Sequence, residues 1–297
     1  MNKDTFSSYH PIINMLYFTA IIGFGMFFMH PIALGISLLC SITYFVYLKG
    51  QRAVRFALVF MLPVLIITAS INPVWTHQGA TILAYFPNGN PLTLESIAFG
   101  LAAAAMLVSI IAWFSCFTEI MTSDKFVYLF GRLIPALSMI LAMALRIVPR
   151  FKSQLITISN AQKCIGRDIS NGNLITRAKH GMKIISIMIT WALESAIETA
   201  DSMKNRGYGL PGRTAFSIFR FDRRDLGALI YIVLCAGIVL AGYAMGAYHF
   251  RFFPTIAGRW TGFATYLVFA AYLALAVFPL IVNIKEELTW KKLKAEL

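Results

Sequence analysis

Residues 226–248 read LGALIYIVLCAGIVLAGYAMGAY, an unbroken run without one charged side chain. As a helix rising about 1.5 Å per residue it is about 35 Å long, enough to cross the roughly 30 Å hydrocarbon core of a bilayer. A helix apolar on every face has no stable place on a water-soluble surface. Working outward, five more stretches have the same character, at about 12–29, 31–48, 54–71, 94–117 and 261–283, the first two hinged at His30-Pro31. The whole chain agrees: 58% of its 297 residues are hydrophobic and only 13% are charged, a balance that needs lipid rather than water around it. The sequence therefore predicts an all-α integral membrane protein with about six transmembrane helices. The four cysteines (Cys40, Cys116, Cys164, Cys235) show no metal-like or redox spacing. The N-terminus lacks the anatomy of a cleaved signal, so the first apolar stretch reads as an anchor.

The net charge of +13 would suggest nucleic acid in a soluble protein. Here its distribution is a topology signal. With six spans, every one of the 26 Lys and Arg residues except Arg251 and Arg259 falls on one side. Basic residues are retained on the cytoplasmic face, so both termini and the long segment 118–225 are expected there, with no role for nucleic acid. The chain divides accordingly into N-terminal transmembrane helices (1–117), cytoplasmic coupling helices between the fourth and fifth spans (118–225), and C-terminal transmembrane helices with a tail (226–297). Two apolar stretches inside that segment, LIPALSMILAMAL at 133–145 and IISIMITWAL at 184–193, are too short to cross and suit buried or interfacial helices.

The segment itself reads as helices. Residues 125–150 form one, weakened at Pro135 and expected to end near Pro149, and 151–165 form a shorter second. Gly166 stands where a C-terminal cap belongs, and Asn171-Gly172 marks a turn. A third helix runs from Leu174 to about Asn205, with Glu194, Glu198 and Asp201 on one face. Arg206 closes it, followed by Gly207, Tyr208, Gly209, Leu210 and Pro211, a good stop signal.

The run Asn160-Ala161-Gln162-Lys163-Cys164-Ile165-Gly166-Arg167-Asp168, followed some 35 residues on by Ala200-Asp201-Ser202-Met203-Lys204-Asn205-Arg206-Gly207-Tyr208, resembles the transmembrane T component of energy-coupling factor (ECF) transporters. The approach Ala144-Leu145-Arg146-Ile147-Val148-Pro149 is similar to that family too. The resemblance implies a non-catalytic scaffold in the cell membrane of a bacterium or archaeon. It would couple two ABC-type ATPases, which bind ATP and Mg, to a separate substrate-binding membrane subunit for a vitamin or a transition-metal ion. It also implies two short Ala-Arg-Gly-type motifs at two helix ends, each docking in a groove of one ATPase. Carried onto this chain, the second motif is Asn205-Arg206-Gly207, with Tyr208 beside it. The first falls on Ile165-Gly166, where Ile165 occupies the arginine position and the basic residue, Arg167, comes only after the glycine. Either Arg167 reaches back or that dock rests on apolar contact. Ala161, Gln162 and Arg146 are supporting positions. Physically, a helix end is a small shaped knob, and arginine adds a planar fork for a carboxylate in a groove.

The chain has no GxxxxGK[ST] phosphate loop, so ATP hydrolysis is expected on another chain, and no cofactor of its own is expected. Its five histidines are dispersed, and no HExxH or Cys/His cluster suggests a metal site. Two other classes of function compete with this reading. A membrane-embedded enzyme acting on a lipid-borne substrate would need facing carboxylates or histidines, and the only acidic cluster is Glu194, Glu198 and Asp201. A self-contained carrier usually keeps ionisable groups inside its spans or shows an inverted repeat, and the sequence suggests neither.

Overall fold

The computed structural model describes residues 4–295 apart from 86, 88, 134, 171–172, 209–218, 247 and 259–261; the side chains of 131–133, 135–138 and 295 are also outside the description. The turn expected at Asn171-Gly172 and the stop residues Gly209, Leu210 and Pro211 lie outside the described residues. The chain forms two compact units, Met1–Thr122 with Phe219–Leu297, and Ser123–Ile218.

In the first unit the helices are α1 (Pro11–Phe27), α2 (Pro31–Lys49), α3 (Gln51–Trp75), α4 (Leu94–Ile120), α8 (Arg223–Ala244) and α9 (Phe263–Ala295). Five of them are long and apolar enough to cross a membrane, and α1, with 17 residues, is a shorter apolar helix. The fold is that of an all-α membrane protein. His10 and His30 cap α1 and α2 through their ring nitrogens, each ahead of a proline whose missing N–H costs nothing at that position. The helix read from sequence at 54–71 is longer, reaching Trp75, and contains a π turn at Ala57–Met61. Pro63 accounts for that turn: its ring cannot coexist with a regular turn behind it, so the backbone widens.

The core sits around α1, whose Ile13, Tyr17, Phe18, Ile21 and Phe24 recur at helical spacing and are buried. Trp113 of α4 and Tyr272 of α9 are buried with them, and the Trp113 indole N–H donates to Ser37 Oγ at 3.1 Å, which satisfies a polar group in the apolar interior.

Polar contacts gather the basic ends of the helices at one end of this unit. Lys49 at the end of α2 pairs with Glu119 near the end of α4 at 3.2 Å. The Asp4 carboxylate accepts from Asn283 Nδ2 of α9 and from the Tyr44 hydroxyl of α2. Asn283 Oδ1 in turn accepts the Thr5 and Phe6 amides at 2.8 and 3.2 Å. Burial pushes the Asp4 carboxyl above its ordinary range, against those hydrogen bonds. Asp225 of α8 accepts the His10 amide and completes a capping box with Asp222. The other end carries two short hairpins, β1 (Ile82–Tyr85) with β2 (Pro91–Thr93), and β3 (Phe250–Arg251) with β4 (Ala257–Gly258).

α3 is the least buried of the five spans, and it is held by a close seam on α4. A Cβ added to Gly100 would stand 2.6 Å from the Ala69 carbonyl oxygen and 3.1 Å from Asn72 Cβ. Gly100→Leu should therefore pry the two helices apart and lower stability by about 1–3 kcal/mol, as overpacking does. A thermal melt in detergent checks this, with Gly227→Leu as control because nothing lies within 4 Å of that position. Equal melting of both variants would refute the seam.

The second unit holds α5 (Ser123–Leu133), α6 (Pro135–Cys164) and α7 (Leu174–Asn205). The expected break near Pro149 is absent, and α6 runs through it for 30 residues. Pro149 and Leu145 are both exposed, so water or headgroups can satisfy the Leu145 carbonyl that the proline leaves unbonded. Of the stretches 133–145 and 184–193, residues 135–145 and 184–193 fall in longer helices of mixed polarity, and among the described residues neither α6 nor α7 is apolar enough to cross a membrane.

Candidate functional site

α6 and α7 touch at an aromatic contact. The Phe151 ring meets the Trp191 ring edge-on at 5.4 Å, and the Arg150 guanidinium lies over the same indole at 5.5 Å. Cation–π and edge-to-face geometry both favour one orientation of the indole, and Ile158 and Ile184 are buried in the same unit. From this contact the two helices run on by 13 residues to Cys164 and by 14 to Asn205, or about 20 Å each at 1.5 Å per residue. Two arms of equal length thus end in the two motif regions.

The ends have the same backbone. In α6, Gly166 adopts φ +78°, its amide donates to the Lys163 carbonyl at 3.0 Å, and the Arg167 amide donates to the Gln162 carbonyl at 2.9 Å. In α7, Gly207 adopts φ +77°, its amide donates to Lys204 at 3.0 Å, and the Tyr208 amide donates to Met203 at 3.1 Å. Each is a Schellman cap, in which a left-handed glycine lets the chain turn back on the last carbonyls. Ile165 and Arg206 therefore hold the same C-cap position, Gly166 and Gly207 the next, and Arg167 and Tyr208 the one after.

Their side chains differ. Ile165 is 61% exposed. Arg167 and Arg206 are exposed too, and among the described residues no ion pair or hydrogen bond to either guanidinium occurs. Asn205 is the last helical residue and is exposed, as is Ala161. Gln162 is half-buried, and its Oε1 is buried without a hydrogen bond among the described residues. Arg146 lies 18 residues before Cys164 on the same helix, roughly 27 Å away, so the structure does not bring it to the end of α6.

The connector after Gly166 is locked by contacts that periodicity alone could not supply. The Ser170 amide and hydroxyl donate to the two oxygens of Asp168 at 3.0 and 2.6 Å, and Lys163 pairs with the same carboxylate at 3.6 Å. The Ser170 hydroxyl and amide, followed by the Lys163 ammonium, hold the Asp168 carboxyl below the usual carboxylate range. The lock is therefore complete above ordinary carboxylate pKa values and opens only as pH falls through the depressed one. Arg177 Nε donates to the Ile169 carbonyl at 2.6 Å and ties the start of α7 to the connector. The Asp-x-Ser spacing at 168–170 is a readable turn signal; the Arg150–Trp191 pairing had none.

One further surface belongs to α7. Ile175, Met182, Ile185, Ile189, Leu193 and Ile197 recur along one stripe, each more than half exposed. Exposed apolar stripes are common where a surface meets a partner or a membrane. Glu194, Glu198 and Asp201 are exposed near its end and form no salt bridge among the described residues.

No family model matches the chain. It is similar to proteins described as energy-coupling factor transporter transmembrane protein EcfT. The one from Lactobacillus helveticus is 35% identical over 105 residues, 35% of this chain and 38% of the relative. Those from Staphylococcus aureus and Ruminiclostridium cellulolyticum are each 28% identical, over 65% and 66% of this chain and 72% and 74% of the relatives. In the higher-identity matches the chain spans about two fifths of the relative's length. By its sequence, then, this membrane protein is similar to the transmembrane proteins of energy-coupling factor transporters.

Proposed function

We propose that the chain is the non-catalytic transmembrane scaffold of an ATP-driven ECF-type uptake transporter, which couples two ABC ATPases to a separate membrane subunit that binds the solute, a vitamin or a transition-metal ion. The observation that carries this reading is the pair of identical Schellman caps at the ends of equal arms. Each cap is a rigid knob, and helix ends of this kind fit grooves on partner proteins. Arg206 adds a planar, permanently charged fork with no partner among the described residues, suited to a carboxylate on the first ATPase. The other cap presents Ile165 in the same place, so the second ATPase would meet it by apolar contact, with Arg167 two positions later on the rim. ATP and Mg stay on those partners.

Two helices held at Phe151 and Trp191 would turn closure of the ATPases into a movement at the membrane, provided both knobs stay seated. The apolar stripe of α7 offers the solute-binding subunit a surface to rest on. The basic end of the membrane unit, which gathers Lys49, Arg224 and both terminal segments, would face the cytoplasm.

Co-expression with two candidate ATPases and a solute-binding subunit tests the reading. The tagged chain should retain both ATPases through purification, and vesicles holding all four should take up solute only with ATP inside the compartment the ATPases face. Uptake by this chain alone, or purification without either ATPase, would overturn it.

A further inference from the structure

A cavity of about 460 Å³ lies in the membrane unit, between the first turns of α2, the middle of α3, the first half of α4 and the hairpin β3–β4. None of the residues lining it carries a polar side chain. Leu34, Ala102 and Phe252 form its buried wall, and Leu101 on its border is 56% exposed, so the cavity is open on that side. Its size is that of a ligand pocket, about 300–1,000 Å³, yet it offers no hydrogen bond to fix a polar solute.

Its depth identifies what fits. Leu38 lies seven residues into α2 from Pro31, and Ala105 eleven residues into α4 from Leu94, which is about 10 and 16 Å down the helices. One leaflet of hydrocarbon is about 15 Å deep, half of the roughly 30 Å core. The exposed rings of Trp75 and Tyr85 stand at the end where α3 stops and α4 begins, the level at which amphipathic aromatics mark the headgroup layer. The cavity thus starts near the headgroups and ends near the midplane.

From this match we infer that the cavity holds one acyl chain of a phospholipid from the leaflet on the side of the β hairpins. Lipid tails are as apolar as leucine, so the gain is not transfer from water. It comes from contacts that the walls of an empty groove would forgo. The lipid would sit against α3, the least buried span, and support it where α4 alone does not. The inference rests on membrane insertion and not on the transport reading, so either can fail without the other.

Gly35 lines the cavity, and nothing lies within 4 Å of a Cβ built there. Gly35→Leu and Gly35→Phe therefore fill the space without displacing the fold, and Gly35→Ala is the folding control. The full chain is placed in phosphatidylethanolamine–phosphatidylglycerol vesicles doped with a phospholipid carrying an acyl-chain diazirine, washed with unlabelled lipid and irradiated. Labelling should concentrate at 98–105 and 250–256 relative to lipid-facing Leu58 and Val59. It should fall several-fold in Gly35→Phe, less in Gly35→Leu, and not at all in Gly35→Ala. Labelling no higher in the cavity than at Leu58 and Val59, labelling that Gly35→Phe leaves unchanged, or labelling abolished when a solute-binding subunit is added would each overturn it, the last by showing a seat for protein.

Discussion

Arg206→Glu should strip one ATPase from the complex while leaving the chain folded and inserted. The guanidinium is exposed, sits at the C-cap of α7 and has no partner among the described residues, so its loss breaks no contact among them. At the proposed dock it would face a carboxylate in a closed groove. Removing one member of such a buried, hydrogen-bonded pair costs about 2–5 kcal/mol. At 1.4 kcal/mol per decade, that is a loss of affinity of roughly 30- to 4,000-fold. Reversal to Glu adds repulsion and places an anion at a helix C-terminus, worth a further 0.3–1 kcal/mol or so. Retention of the ATPases and ATP-driven uptake are the measurements, with helix content by circular dichroism as the check on folding. Arg206→Lys keeps the charge without the planar fork and should fall between wild type and Glu. Arg167→Glu is the companion test. A small effect means that the first dock works through Ile165; a loss equal to that of Arg206→Glu means that Arg167 reaches back. Full assembly and uptake in Arg206→Glu would sink the docking proposal.

That test could be designed from sequence because the relevant signals are local. The bounds of α7 follow from a periodic run closed by a cation and a glycine, and the left-handed glycines were legible from their place after each run. The spans were legible as length and apolarity, which need no knowledge of neighbours. The errors came where context overrides local preference. Pro149 looked like a helix end, yet the helix continues because the freed carbonyl lies on an exposed face. Long-range polar contacts had no signature either: Asp4 meets Asn283 across nearly the whole chain, and Arg150 finds Trp191 41 residues away. Nor could composition show that both helices run on equally far from their contact. The difference between the two caps, Ile165 in one and Arg206 in the other, is in contrast fully legible, since it is a matter of which residue precedes each glycine.

Gly207→Val separates shape from charge, and its effect should rival that of Arg206→Glu. Gly207 holds φ +77°, a conformation that costs an ordinary L-residue about 1–2 kcal/mol and a β-branched residue more. Valine would leave that region and give up the two bonds that turn the chain back, from its own amide to Lys204 and from the Tyr208 amide to Met203. The rest of α7 has no reason to melt, so helix content should fall only by its last turn. Arg206 would keep its charge and lose its direction. The expected result is ATPase release with the arginine intact, and Gly207→Asn should rescue most of the loss, because Asn tolerates the left-handed region. The same change at the other cap is the sharper test. Ile165 has no charge to reach with, so its seat depends on the knob alone, and Gly166→Val should cost the second ATPase as much as Gly207→Val costs the first. If Gly166→Val assembles and transports like wild type, the α6 cap is not a dock, and the scaffold holds its ATPases by one arm.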